Sequence, residues 1–146
     1  MRLSCQKVSL LVVASAIACH NPTGPGTIAA YFVLQSINGR PLPTYLATTP
    51  GPSTTIFSST LTLDKAGNAV ITEHRDDMFI GERTYTSTTS YIIRGVQIEI
   101  RAEPCLAYPN CVGDRVGKIL NGRLNLNINP KSEFQIIYEY RASDNP

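Results

Sequence analysis

The side chains able to do chemistry in this 146-residue chain fall into three groups beyond its first 27 residues. Cys105 and Cys111 stand in the short run PCLAYPNC. In an oxidising compartment the default fate of such a pair is a disulfide closing a small loop between two strands. The rival reading is a metal site, which needs about four ligands, and no second Cys or His pair is present to complete one. Glu73-His74-Arg75-Asp76-Asp77 is the densest run of functional groups. Its carboxylates admit a divalent cation, but the favoured reading is a solvated strand end leading into a loop. Tyr85, Tyr91, Tyr138 and Tyr140 form the third group. Each offers an apolar body with a polar tip, which suits the lining of a site for a small lipophilic ligand.

Catalytic arrangements find little support. His20 lies before the folded part, which leaves His74 as its only histidine, and no G-x-S-x-G turn accompanies it for a Ser-His-Asp hydrolase. Glu99 and Glu139 fall on the expected outer face, so they do not make a catalytic carboxylate pair. No phosphate-cradling glycine loop appears. The expectation is a protein that is not an enzyme and that uses no cofactor and no metal.

The remaining cysteines belong to the amino-terminal region. Met1 to Lys7 carries Arg2 and Lys7 and no acid, and the apolar run Val8 to Ala18 follows. That run is about half the length of a bilayer-spanning helix, so residues 1–18 read as a signal peptide. Ala16-Ile17-Ala18-Cys19 resembles the lipobox of bacterial lipoproteins, with Ala16 where that pattern prefers Leu. The resemblance implies that Cys19 takes a diacylglycerol through its thiol and, after cleavage, a further acyl chain such as palmitate on the new amino terminus. Two or more chains anchor stably where one does not. The alternative is an ordinary secretory signal with Cys19 as a leftover thiol. Export and anchoring place the protein in the cell envelope, and the lack of Asp after Cys19 favours the outer membrane.

Removal of residues 1–18 changes the charge. Of the 13 Lys and Arg, Arg2 and Lys7 leave with the signal, so 11 basic residues face 11 acidic ones and the mature chain is formally neutral. No basic patch remains for nucleic acid. The same step removes Cys5 and commits Cys19, leaving Cys105 and Cys111 as the pair.

Residues 19–27 include HNPTGPGT, a polar tether rich in Pro and Gly. From residue 28 to 146 no amphipathic helix is evident, and short runs rich in Thr, Ile, Tyr and Val alternate with turn signals. Eight strands are expected: Ile28 to Ile37, Ile56 to Leu63, Ala69 to Arg75, Glu82 to Ile93, Val96 to Arg101, Val116 to Leu120, Leu124 to Ile128, and Phe134 to Arg141. In the second, Phe57, Ser59, Leu61 and Leu63 are expected on one face. Asp64-Lys65-Ala66-Gly67-Asn68, Arg94-Gly95 and Asn121-Gly122 are hairpin turns. RPLPTYLATTPGPS holds four prolines and is expected to be a long loop. Strands joined by such tight turns suit an all-β, eight-stranded antiparallel up-and-down barrel, which removes exposed edges. A two-sheet β-sandwich is the alternative.

Leu34-Gln35-Ser36-Ile37-Asn38-Gly39-Arg40-Pro41-Leu42-Pro43, Leu61-Thr62-Leu63-Asp64-Lys65-Ala66-Gly67-Asn68, and the hairpins Tyr91 to Ile100 and Gly117 to Ile128 span nearly the whole mature chain. Together they resemble small bacterial lipocalin-like lipoproteins of unknown function. The resemblance implies a lipocalin-type barrel. Authentic lipocalins carry Gly-x-Trp in the first strand, whereas this chain has no Trp, so no binding residue is carried over. An eight-stranded barrel is just wide enough for its own side chains to fill it. The expectation therefore stands between a binder of a small lipophilic ligand and a filled envelope protein acting through its surface loops. Its other partner is the membrane, reached through the lipid.

Overall fold

The computed structural model describes residues 26–47, 53–101, 114–128, 130–131 and 134–144. The expected signal peptide, Cys19 and the Cys105/Cys111 pair lie outside the described residues.

The strands are β1 (Ala30–Ile37), β2 (Arg40–Pro41), β3 (Thr44–Leu46), β4 (Thr54–Leu63), β5 (Asn68–Asp77), β6 (Gly81–Arg94), β7 (Gln97–Ile100), β8 (Arg115–Leu120), β9 (Arg123–Asn127) and β10 (Ile137–Ala142). Eight of them pair in the order β1-β10-β9-β8-β7-β6-β5-β4, and β4 returns to β1 through a ladder from Ala30 opposite Leu63 to Val33 opposite Thr60. All pairs are antiparallel. This closure decides for the barrel against the sandwich, and the eight anticipated strands are its eight staves.

Local chemistry explains the path. Asn121 and Gly122 adopt φ of 51° and 70°, the left-handed pair that matches hairpin twist and that Asn-Gly tolerates best. The proline-rich connector differs from the expected loop, because it carries β2 and β3. Both are short and lie at the ends of the strand order, β2 on β1 and β3 on β4, where proline's missing N–H is tolerated.

One strand departs from simple alternation. The β4–β5 register shifts between Ile56 and Ser58, and a bulge re-aims the side chains on either side of it. Ile56, Ser59, Leu61 and Leu63 are buried. Phe57, expected on the inner face, instead stands outside with its ring 5.1 Å from that of His74. Ser59, a buried polar residue, is satisfied by the Tyr140 hydroxyl at 3.0 Å.

The two ends of the barrel are built differently. At one end lie the turns at Asp64 to Gly67, Arg94 to Val96 and Asn121-Gly122, together with the incoming chain. Gly26 exchanges backbone hydrogen bonds with Ile93, and Thr27 Oγ1 donates to the Lys65 carbonyl. Phe32, Leu61, Leu63, Ala69, Ile98 and Leu124 fill the interior there. Each of these side chains except the small Ala69 contributes roughly 1.5–3 kcal/mol by leaving water. At the other end lie the short β5–β6 connection, 78–80, and three longer ones spanning 38–53, 101–114 and 128–136. Ile37 and Ile56 fill the β1 and β4 side of that end. The opposite side is occupied by polar groups around a cavity.

Candidate ligand-binding cavity

Alternation along β5 builds the cavity's polar wall. Ala69 and Ile71 point inward, and the same parity continues through Glu73, Arg75 and Asp77. Three members of the charged run thus line the barrel interior, while His74 and Asp76 face out. This corrects the reading of the run as a solvated strand end: alternation persists past the point where the inward residues cease to be apolar. His74 Nε2 lies 2.8 Å from Glu82 on the outer surface. Among the described residues no group of three His, Cys, Asp or Glu side chains is placed to hold a metal ion.

The three inward groups brace one another and together carry one net negative charge. Arg75 lies between two carboxylates, with its Nη1 donating to Glu73 Oε1 at 3.0 Å and its Nε to Asp77 Oδ2 at 3.1 Å. Its guanidinium also covers the Tyr85 ring, 3.9 Å from the centroid, a cation–π contact. Asp77, only 8% exposed, accepts from Tyr85 at 2.7 Å and from Thr54 Oγ1 at 2.9 Å. Burial alone would raise the Asp77 pKa, but the hydrogen bonds from Tyr85 and Thr54 and the charge of Arg75 outweigh it, holding the carboxyl below its usual range. Burial likewise opposes the charge on Arg75, and Glu73 and Asp77 more than offset it.

Across the interior, Tyr138 donates to Glu73 Oε2 at 3.1 Å. Burial first, and then the Glu73 charge, push the Tyr138 phenol well above its ordinary pKa. Burial does the same for Tyr140, partly countered by its bond with Ser59. Both are neutral hydrogen-bonding groups throughout the physiological range.

Between these walls lies a cavity of about 320 Å³, at the lower end of the roughly 300–1,000 Å³ typical of small-molecule sites. Ile71, Leu126 and Ile128 give it an apolar floor, and Tyr85, Tyr138 and Tyr140 an amphipathic wall. Arg115 completes it from the start of β8. Among the described residues, the cavity is open where β6 outruns β7. β6 has 14 residues, yet β7 pairs only with Tyr91 to Arg94. Among the described residues, the β6 edge from Gly81 to Thr88 has no strand on that side. Thr86, which alternation turns outward, lines the cavity because the wall ends there.

Three of the four singled-out tyrosines therefore meet at one site. Tyr91 does not belong to it. Its hydroxyl accepts from Ile28 N–H at 2.8 Å and lies 2.6 and 2.7 Å from the Ile28 and Asp64 carbonyls, one of which takes its proton. It ties the incoming chain to the closed end. Glu99 and Glu139 are outward as expected, Glu99 beside Arg94 and Glu139 accepting from Ser36. The residues that the sequence reading missed are Glu73, Arg75 and Asp77 as interior groups, and Arg115. Parity was the available signal: Arg115 shares a face with the buried Gly117.

No protein-family model, curated protein or solved structure matches the chain.

Proposed function

We propose that this protein is a lipid-anchored barrel of the cell envelope that holds a small amphipathic ligand, and that its role is binding rather than catalysis. The observation that carries the reading is the cavity itself. It is a half-apolar, half-polar space of about 320 Å³ in a barrel of eight staves, a size at which side chains are able to fill the interior completely. The lining suits a ligand with a compact hydrocarbon or aromatic body and a polar end, in place of the purely lipophilic ligand that the tyrosines alone suggest.

The anchor gives this site an orientation. Gly26 enters at the closed end, and six residues lie between it and Cys19, so the two are at most about 25 Å apart at 3.6 Å per residue step. Lipid on Cys19 then places the closed end toward the bilayer and the cavity toward the surrounding compartment. Mass spectrometry of the mature amino terminus tests the anchor; an unmodified terminus other than Cys19 would overturn it.

Binding is tested by NMR of ring-labelled tyrosines in the full chain, titrated with 4-phenylbutanol and with 4-phenylbutyrate. Tyr85, Tyr138 and Tyr140 are expected to shift with at least one of them while Tyr91 stays in place. Shifts confined to the exposed Tyr45, or none at millimolar probe, would overturn the cavity reading. One observation favours a second reading, in which the protein acts through its surface: Met78, Phe79 and Ile80 are all exposed at the β5–β6 tip. In that case crosslinking from this tip captures an envelope protein and Met78→Ser with Phe79→Ser abolishes the capture.

A further inference from the structure

Charge inside the cavity is unevenly compensated. Arg75 is held by two carboxylates at 3.0 and 3.1 Å, so its charge is spent within the barrel wall. Arg115 lines the same cavity, yet its guanidinium makes no ion pair and no hydrogen bond with any of the described residues. It does lie near enough to Tyr138 and Tyr140 for its positive charge to act on both phenols. Arg115 is half-buried, and a guanidinium drawn partly out of water gains from a paired anion.

The surroundings limit which anion fits. Glu73, on the facing wall, carries a negative charge and sits beside Tyr138. Glu73, Asp77, Arg75 and Arg115 already sum to zero, so a dianion such as a phosphate monoester would bring two uncompensated negative charges beside Glu73, and a carboxylate only one. A carboxylate matches the planar fork of a guanidinium with two parallel hydrogen bonds. Tyr140 and Ser87 supply neutral hydroxyls nearby, and Leu126 and Ile128 offer apolar surface for the rest of the molecule.

Resting on the proposed binding role, we infer that the ligand is a small monocarboxylate with an apolar body, its carboxylate held by Arg115 and its body lying on Leu126 and Ile128. Arg115 is the specificity-determining residue, and the Glu73–Arg75–Asp77 array is the structural wall that keeps a second charge out.

The experiment is calorimetric titration of the full chain with 4-phenylbutyrate, its neutral counterpart 4-phenylbutanol, and phenyl phosphate, repeated on Arg115→Gln and Arg115→Lys. The expected result is that the acid binds at least tenfold more tightly than the alcohol, that phenyl phosphate binds more weakly than the acid, and that Arg115→Gln removes the acid's advantage without weakening the alcohol. Arg115→Lys keeps the charge but loses the fork, so an intermediate loss is expected, and it preserves the test should Arg115→Gln not fold. Equal binding of acid and alcohol, or an acid preference untouched by either variant, would overturn the inference and leave the cavity reading in place. Tighter binding of phenyl phosphate would overturn the choice of monoanion. Failure of all three probes would remove both.

Discussion

The closed and open ends of this barrel follow the same rule of alternation with opposite chemistry inside. At the closed end the inward positions are Phe32, Leu61, Leu63, Ala69, Ile98 and Leu124, and each is nearly inaccessible to solvent. At the open end the inward positions of β5 are Glu73, Arg75 and Asp77, and the interior holds a cavity. The closed end is stabilised by removing hydrocarbon from water, a non-directional effect proportional to area. The open end is held by directional bonds among charged groups that remain partly wet, for which the net gain is small. The closed end therefore carries more of the fold's stability, and the β5 and β6 side of the open end is free to be specific.

That division predicts its largest effect at Leu61, opposite Phe32 in the ladder that closes the barrel. Leu61→Ala is expected to cost about 2–5 kcal/mol, through lost transfer energy and a cavity that close packing cannot collapse. Ile128→Ala, beside the existing cavity, is expected to cost under about 1.5 kcal/mol. Urea unfolding of the two variants checks the contrast, and equal losses would break it.

A smaller loss is expected at Tyr91, whose hydroxyl serves the Ile28 N–H and either the Ile28 or the Asp64 carbonyl. Tyr91→Phe keeps the ring and strands those partners, at roughly 1–3 kcal/mol. Tyr85→Phe, at the open end, leaves Asp77 with two other donors and is expected to lose less. If the Tyr85 change proves the more damaging, the open end bears stability after all.

The staves were legible in the sequence because two local signals agreed: a two-residue period, as in Val96 to Arg101, and turn residues at the required spacing, as at Asn121-Gly122. Closure itself was less legible, since pairing β1 with β4 joins segments that no short turn connects. The bulge at Ile56 was hidden because Phe57 and Ser59 fit the alternating pattern well enough without it. The candidate site was read in part. Of the four tyrosines grouped from the sequence, Tyr85, Tyr138 and Tyr140 line one cavity and Tyr91 does not, because alternation gives the face of a strand and not the level along the barrel. Glu73, Arg75 and Asp77 were lost because the assumption that inward means apolar overrode parity. Arg115 was missed for the same reason, standing one residue outside the strand as the apolar pattern bounded it.

Acid should loosen the two ends unequally. The folded pKa of Asp77 lies below its unfolded value of about 3.9. Its contribution to stability is therefore fully present above the ordinary carboxyl range and is lost as pH falls through the depressed value. Below about pH 4, hydrogen exchange is expected to accelerate first in β5 and β6 around Asp77, while β1 and the adjoining part of β4 stay protected. Asp77→Asn should lower stability at pH 7 by about 1 kcal/mol and flatten that part of the acid dependence. An acid response identical to that of the unaltered chain would place the titrating group elsewhere.

The smallest effect on stability, and the sharpest on binding, is expected from filling the cavity. Ser87 points inward from β6 opposite Ile71, and its side chain borders the empty space. Where a core is already packed, an added side chain costs about 1–3 kcal/mol. At Gly117, for instance, a new Cβ would stand 2.6 Å from the Asn125 carbonyl oxygen. Ser87→Leu has room that Gly117→Ala lacks, and its hydrocarbon would cover Ile71 and Leu126, so thermal unfolding is expected to change by under about 1 kcal/mol. The same substitution occupies the volume that 4-phenylbutyrate needs, and binding of that probe is expected to fall at least tenfold. Gly117→Ala should do the reverse, lowering stability through its clash with the Asn125 carbonyl without occupying the space beside Ser87. If Ser87→Leu destabilises the barrel as Gly117→Ala does, the space beside Ser87 is already filled in solution, and the open end is a packed core like the closed one.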